Sequence, residues 1–185
     1  ENSATKRIDL NMKDDFGKTA LHNACAYGQT KVVKLLMNHT NIELNSRDND
    51  GNTPFMEMCL EGKLEGIKLM LDHSKAKNIK LNAKDKYGRT ALHDACGEGN
   101  LDVVKLLLDH SKSKKIDLNV RDNFRKTALE NACDFGRRKV VKLLLTHSKA
   151  KKITIPKVDK IDRYSFKIQQ LFMEYLPNPR SCAEC

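Results

Sequence analysis

An internal repeat of 34 to 37 residues constrains this chain more than any other feature of its sequence. Each copy starts at an isoleucine and then carries Asn, Asp, Thr, Cys and Gly at fixed positions, in the same order. The isoleucines are Ile8, Ile42, Ile79 and Ile116, and a degraded fifth copy starts at Ile153. Because so many columns stay in register over four copies, the sequence predicts a stack of similar units rather than one domain around a single core.

The third copy shows what one unit is expected to form. Thr90 is a favourable N-cap, and the small and apolar residues after it follow helical spacing up to Gly99, which suits a helix C-terminus. Asn100 is expected to cap a second helix with a broad apolar face. The stretch from Ile116 to Phe124 alternates apolar and polar residues, which predicts an extended finger with a turn. Such a unit must stack on its neighbours to bury both helices.

These residues resemble the ankyrin repeat. Residues 85–95 read Asp-x-x-Gly-x-Thr-Ala-Leu-His-x-Ala, close to the Thr-Pro-Leu-His-x-Ala signature of that family. The resemblance covers residues 3–150 well and residues 153–176 poorly. Some positions depart from the family pattern. Proline stands at the signature position only in the second copy, as Pro54, while Met56 and Glu130 replace the histidine and Arg125 replaces a turn glycine. The resemblance implies an all-α solenoid with β-hairpin fingers.

The repeat register also predicts the domain boundaries. They are the tail of a preceding repeat (1–11), four repeats (12–41, 42–78, 79–115 and 116–152), a degenerate C-terminal capping repeat (153–177) and a tail (178–185). Residues 3–11 run parallel to residues 111–119, so we expect the chain to belong to a longer protein with at least one more repeat upstream. The capping repeat is expected to lay one apolar helical stripe on the fourth repeat, formed by Ile168, Leu171, Phe172, Tyr175 and Leu176.

Cysteine and histidine each recur at equivalent positions of the repeats, and both recurrences have structural explanations. Stacked repeats hold equivalent residues about 8–10 Å apart, beyond the reach of a disulfide, so the repeated cysteines are predicted to be small core residues (Cys25, Cys59, Cys96 and Cys133). The histidines at the ends of the second helices are predicted to cap them (His39, His73, His110 and His147). His22 and His93 occupy the signature position, where the resemblance implies a hydrogen-bonding scaffold role.

The sequence gives no sign of catalysis, because it contains no Ser-His-Asp order, phosphate-binding loop or cluster of metal ligands. We therefore predict no enzyme activity, no cofactor and no metal. Cys182 and Cys185 form a lone Cys-x-x-Cys, for which a plain tail is favoured over half of a site continued beyond this chain. Six cysteines without the pattern of a small secreted scaffold, and an N-terminus without a signal peptide, predict an intracellular protein in the cytoplasm or nucleus.

The resemblance also implies where a partner protein binds, namely on the concave face built from finger tips and first helices. The variable positions of that face hold five of the chain's aromatic residues, and aromatic and arginine side chains are favoured interface anchors. The predicted partner-binding residues are Phe16, Tyr27, Leu60, Tyr87, Arg89, Phe124, Lys126 and Phe135. The alternative left open is that Phe16, Tyr87 and Phe124 only brace neighbouring fingers.

A net charge of +10 leaves a second function open. The loops after the second helices carry Ser-Lys-x-Lys, and stacking would join them into a basic stripe of Lys75, Lys77, Lys112, Lys114, Lys149 and Lys151. That stripe could bind RNA or an acidic membrane surface, or it could serve only to solubilise the protein. The predicted function is protein recognition without catalysis, with anion binding and a structural spacer within a larger protein as alternatives.

Overall fold

The computed structural model describes residues 8–74 and 78–175, apart from the side chains of residues 149–151 and 158. Four pairs of helices follow one another along the chain: α1 (Ala20–Ala26) with α2 (Thr30–Met37), α3 (Pro54–Leu60) with α4 (Leu64–His73), α5 (Ala91–Glu98) with α6 (Leu101–His110), and α7 (Ala128–Asp134) with α8 (Arg138–Lys151). The first helices pack side by side in one layer and the second helices in another. The predicted all-α solenoid is confirmed.

The fingers between the pairs are turns, and no strand occurs within the described ranges, so the expected β-hairpins are not formed. An aspartate organises each turn: Asp85 Oδ1 accepts hydrogen bonds from the backbone N–H groups of Tyr87 (2.9 Å) and Arg89 (2.7 Å). Asp14, Asp48 and Asp122 make the same pair of bonds. Neighbouring fingers share a backbone hydrogen bond at their tips, as from Asn123 N–H to Tyr87 O (2.9 Å), which is too little pairing for a sheet.

A threonine and a histidine fix the start of two of the first helices. Thr90 and His93 form a capping box, and the His93 ring continues to the next finger, with Nε2 3.1 Å from the carbonyl oxygen of Lys126. His22 makes the same contacts with Thr19 and with the carbonyl of Asn52. Burial lowers the pKa of both rings, which favours the neutral form that can donate through one nitrogen and accept through the other. The scaffold role expected for these two histidines is confirmed.

The repeated asparagine links each unit to the next. Asn82 Nδ2 donates to the carbonyl oxygen of Lys115 (2.8 Å), and Asn82 Oδ1 accepts the backbone N–H of Asp117 (2.9 Å). Asn11, Asn45 and Asn119 make the same two bonds. One side chain thus satisfies two backbone groups at the junction with the following repeat, which explains why asparagine recurs at this position.

The cysteine column lies in the core, as predicted. Cys25, Cys59, Cys96 and Cys133 are all buried and unbonded. Burial raises the pKa of each thiol, so these side chains stay protonated and pack as small apolar groups.

Helix capping by the second histidine column is confirmed at two of its four positions. The Nδ1 atoms of His73 and His110 lie 2.8 and 2.9 Å from the carbonyl oxygens four residues earlier, so each ring closes the end of its helix. His147 makes the same contact at 2.8 Å but lies inside α8, which continues to Lys151, so at His147 the prediction is wrong. His39 makes no such bond within the described residues; its Nδ1 instead lies 3.5 Å from the backbone nitrogen of Asn41.

The prediction that Asn100 caps α6 is wrong. Its side chain makes no cap hydrogen bond, because its backbone is not in the extended conformation of a good N-cap. Instead Nδ2 donates to the carbonyl oxygens of Cys59 (3.2 Å) and Leu60 (2.7 Å) at the end of α3. Arg137 in the next unit likewise donates from Nε to the carbonyl oxygen of Gly97 (2.6 Å). In the third and fourth units this position therefore ties the helix pair to the one before it.

The C-terminal helices α9 (Val158–Ile161) and α10 (Phe166–Tyr175) follow the last pair, and α10 packs on α8. Ile168, Leu171 and Phe172 are buried there, and the Phe172 ring stacks on Tyr164 with 6.3 Å between ring centroids. Lys160 Nζ also lies 2.9 Å from Glu130 Oε1 on α7. Leu176, the last residue of the expected stripe, falls outside the described residues.

The first helix pair has an apolar face that the later pairs do not show. Val32 is 40% exposed and Leu35 72%, whereas Val103 and Val140, at the positions equivalent to Val32, are 2% and 1% exposed. In the later units the preceding helix pair covers these positions. The first pair therefore lacks half of the packing that holds an internal repeat.

We expect the first helix pair to open more often than an internal one. The backbone amides of residues 19–38 should exchange with deuterium at least about tenfold faster than those of residues 90–108, because local opening is easiest where the fewest apolar contacts are lost. Hydrogen exchange followed by mass spectrometry on the isolated chain measures both segments in one experiment. Equal protection of the two segments would show that the uncovered face does not weaken the first repeat.

Candidate functional site

Most of the exposed aromatic side chains in the described ranges lie in the finger turns or at the ends of first helices. Phe16, Tyr27, Tyr87, Phe124 and Phe135, all predicted contact residues, are between 43% and 76% exposed. Phe16 and Phe124 are more than 70% exposed, which argues against a bracing role for either ring. Tyr87 is the most covered of the five, because Lys86 Nζ and the Arg89 guanidinium both lie 5.1 Å from its ring centroid.

The other three predicted contact residues are partly covered. Leu60 is half-buried at the end of α3. Arg89 forms an ion pair with Asp85, with Nε and Nη2 each 2.7 Å from Oδ2. Lys126 Nζ lies 2.5 Å from Asp134 Oδ2. Both cations are thus held by carboxylates of their own repeat, which fixes their position at the rim of the groove.

A row of polar side chains beneath this surface was missed by the sequence analysis. Each first helix carries one residue of the row, four positions after its N-cap threonine: Asn23, Glu57, Asp94 and Asn131. Glu57 and Asp94 are buried. The sequence did contain a signal for this row, because charged residues stand at the variable position between the signature histidine and alanine. Stacking of the repeats buries the side chain at that position.

Asp94 is the least satisfied polar group in the described part of the chain. Its Oδ1 is buried without a hydrogen-bond partner, and the nearest cation, Arg89 Nη1, is 3.8 Å away and already committed to Asp85. Burial raises the pKa of Asp94 to about 7, although the Arg89 charge opposes the shift. A buried carboxyl without a partner destabilises a fold, so this group is a candidate functional residue.

Glu57 is the equivalent carboxylate on α3, and it has a partner. Its Oε1 lies 3.1 Å from Lys18 Nζ, which reaches across from the first finger. Burial nevertheless raises the pKa of Glu57, with the Lys18 ion pair opposing the change. Two carboxylates in equivalent positions of adjacent helices thus lie under the centre of the concave face.

The lysine stripe predicted from the sequence is only partly described. Lys112 is exposed and Lys114 half-buried in the turn after α6. Lys75 and Lys77 lie outside the described residues, as do the side chains of Lys149 and Lys151. The expected loop at 148–151 is wrong, because α8 continues as helix to Lys151; Ala150, a strong helix former, stands where Ser113 does in the previous repeat.

The described ranges contain neither a membrane-spanning helix nor a cluster of metal-binding side chains. No helix there is long and apolar enough to cross a membrane. No group of three or more His, Cys, Asp or Glu side chains among the same residues is arranged to hold a metal ion. Cys182 and Cys185 fall outside the part of the chain that the structure describes.

The family model for ankyrin repeats, which spans three copies, matches residues 3–85 and again residues 77–156. A comparison with curated proteins gives no match. Ankyrin repeats are generally protein–protein interaction modules and are generally not catalytic. The repeated columns, the stacked helix pairs and the turn-built fingers agree with this match, and the chain belongs to the ankyrin-repeat family.

Proposed function

We propose that this protein binds a partner protein on the concave face of its repeat stack and carries out no catalysis. The observation that carries the proposal is the row of five exposed aromatic side chains on one face of the solenoid. Large apolar groups that share one exposed face mark an interaction site, whereas isolated ones need no explanation. The buried, protonated cysteines suit a reducing compartment, so we place this interaction inside the cell.

The aromatic pair at the two ends of the groove offers the clearest test. Tyr27 and Phe135 follow the ends of α1 and α7 as their C-cap residues and are highly exposed, so their removal should leave the fold intact. We expect Tyr27→Ala with Phe135→Ala to weaken partner binding by about 1–2 kcal/mol for each side chain. A pull-down from cell extract identifies partners, and titration calorimetry with the purified partner then measures the loss.

A matched variant separates this proposal from the anion-binding alternative. Lys75, Lys112 and Lys149 are the first lysines of the Ser-Lys-x-Lys segments, and replacing all three with Gln removes three charges while it changes none of the predicted contact residues. The concave-face proposal expects this variant to bind the partner normally. Loss of binding in the lysine variant together with unchanged binding in the aromatic variant, and a steep dependence on salt, would favour RNA or an anionic surface instead.

The exposed apolar face of the first helix pair supports a second, smaller proposal. A further helix pair stacked in front of α1 and α2 would cover Val32 and Leu35, as the preceding pair covers the equivalent positions in the later units. We propose that additional repeats lie upstream in the natural protein. An extended chain that includes them should slow the deuterium exchange of residues 19–38 to the level of residues 90–108.

A further inference from the structure

The centre of the concave groove is acidic, although the protein as a whole is strongly basic. Glu57 and Glu61 are four residues apart at the end of α3, and Asp94 and Glu98 occupy the equivalent positions at the end of α5. Residues four apart share one helix face, and α3 packs on α5. We call these four side chains the acidic quartet.

Two members of the acidic quartet are exposed and unpaired. Glu61 and Glu98 form no ion pair within 4 Å in the described part of the chain, and Lys18, Arg89 and Lys126 are paired with other carboxylates. Both stand at helix C-terminal ends, where the helix dipole is negative and a carboxylate is unfavourable.

Asp94 adds an observation that points to a ligand. Asp94 is 95% buried, and its Oδ1 has no hydrogen-bond donor among the described residues. Asp94 lies one helical turn before Glu98 and next to Glu57 in the neighbouring helix. The Oδ1 atom of Asp94 thus lacks a donor, and two unpaired carboxylates and two helix C-termini lie nearby. Together these groups attract a cationic hydrogen-bond donor.

Aromatic residues replace the carboxylates at the two ends of the same row. Tyr27 occupies the position of Glu61 in the first repeat, and Phe135 occupies it in the fourth. Equivalent residues of stacked helices are about 10 Å apart. The groove therefore presents an aromatic side chain, two carboxylates and a second aromatic side chain at roughly equal steps.

Resting on the proposed concave-face function, we propose that the acidic quartet binds two cationic side chains, Arg or Lys, from an extended segment of the partner protein. Apolar side chains at both ends of that segment contact Tyr27 and Phe135. At about 3.3 Å per residue in an extended chain, the two cations are about three residues apart and the whole segment is about ten residues long. Charge complementarity selects this segment over an acidic one.

Selection from a phage-displayed library of random peptides about twelve residues long tests this proposal, since that length spans the stack in extended form. The baits are the wild type, Glu61→Gln with Glu98→Gln, and the matched control Asp72→Asn with Asp109→Asn. The control removes the same charge from exposed positions on the second helices of the same two repeats.

We expect the wild type and the control to enrich basic peptides with paired Arg or Lys, and the Glu61/Glu98 variant to enrich none. In fluorescence anisotropy, the most enriched peptide should bind the Glu61/Glu98 variant about fivefold more weakly, the size expected for two exposed ion pairs. The control should retain wild-type affinity.

Enrichment of neutral or acidic peptides, no enrichment, or equal affinity for the wild type and the Glu61/Glu98 variant would overturn the basic-segment proposal. The aromatic variant, Tyr27→Ala with Phe135→Ala, distinguishes failure of the basic-segment proposal from failure of the concave-face function. If it loses the selected peptides while the Glu61/Glu98 variant keeps them, the concave-face function stands and only the charge preference fails. If both variants keep them, the concave-face function fails as well.

Discussion

Asp94→Asn is expected to make the protein more stable, by about 2 kcal/mol in the free energy of unfolding at about pH 8. The folded protein raises the pKa of this carboxyl from its ordinary value of 3.8 to about 7, so ionised Asp94 costs the folded state free energy. The full shift corresponds to about 4 kcal/mol, but a buried Asn amide without partners costs part of that gain.

The stabilisation should depend on pH with a defined sign. Because the folded pKa of Asp94 lies above the unfolded one, its contribution to stability falls as the pH rises from 3.8 to about 7 and is constant above that range. The wild type should therefore be the more stable protein below about pH 4, where only the cost of the Asn amide remains, and the Asn variant should be the more stable above about pH 7. Urea denaturation at a series of pH values measures this difference.

Asp109→Asn is the matched control, because it removes one exposed carboxylate from the same repeat. It should change the free energy of unfolding by less than about 0.5 kcal/mol. A gain in stability that is the same at all pH values, or a loss at about pH 8, would show that Asp94 is satisfied in the folded protein. A stable variant with weakened peptide binding would instead identify Asp94 as a residue kept for function at a cost in stability.

Phe172→Ala is expected to destabilise the stack by about 3–4 kcal/mol, the range found for large aromatic residues removed from a core. Phe172 has no exposed surface, packs in α10 against α8, and stacks on Tyr164. Its loss opens a cavity at the end of the last repeat and uncovers apolar side chains of α8. Thermal and urea denaturation followed by circular dichroism measure the change.

Met173→Ala provides the control for this prediction, since Met173 is the neighbouring residue on the exposed side of α10. It should alter the free energy of unfolding by less than about 0.5 kcal/mol. A chain that ends at residue 159 should lose at least as much stability as Phe172→Ala. If both changes leave the melting temperature unaltered, α10 does not cap the stack.

The repeated columns were enough to predict the stack, because each repeated residue type has a local role. Thr90 and Gly99 fix the ends of a helix through backbone conformation and capping, which depend on near neighbours in sequence. The burial of Cys96 also followed from its repeated position. Exposure of Tyr27 and Phe135 could be expected from their position at the ends of first helices, where no neighbouring repeat covers them.

The contacts between repeats could not be predicted in the same way. Asn100 reads as a helix cap in sequence, and only the stacking of α5 and α6 on the previous pair brings it to the carbonyl groups of α3. Asp94 and Glu57 are separated by a whole repeat in the chain, and their burial side by side depends on the packing of α3 on α5. The effect of one charge on another depends on the distance between them, and the sequence does not give the distance between two residues that are a whole repeat apart.

The sequence by itself therefore determined the helix pairs, their order and the apolar stripe of the cap, because propensity, capping and periodicity act over a few residues. Tertiary structure alone decided that the fingers are turns rather than hairpins, since pairing between neighbouring fingers is set by how the units stack. It also decided that a basic chain carries an acidic quartet at the centre of its groove, because stacking places equivalent side chains of separate repeats about 10 Å apart on one surface.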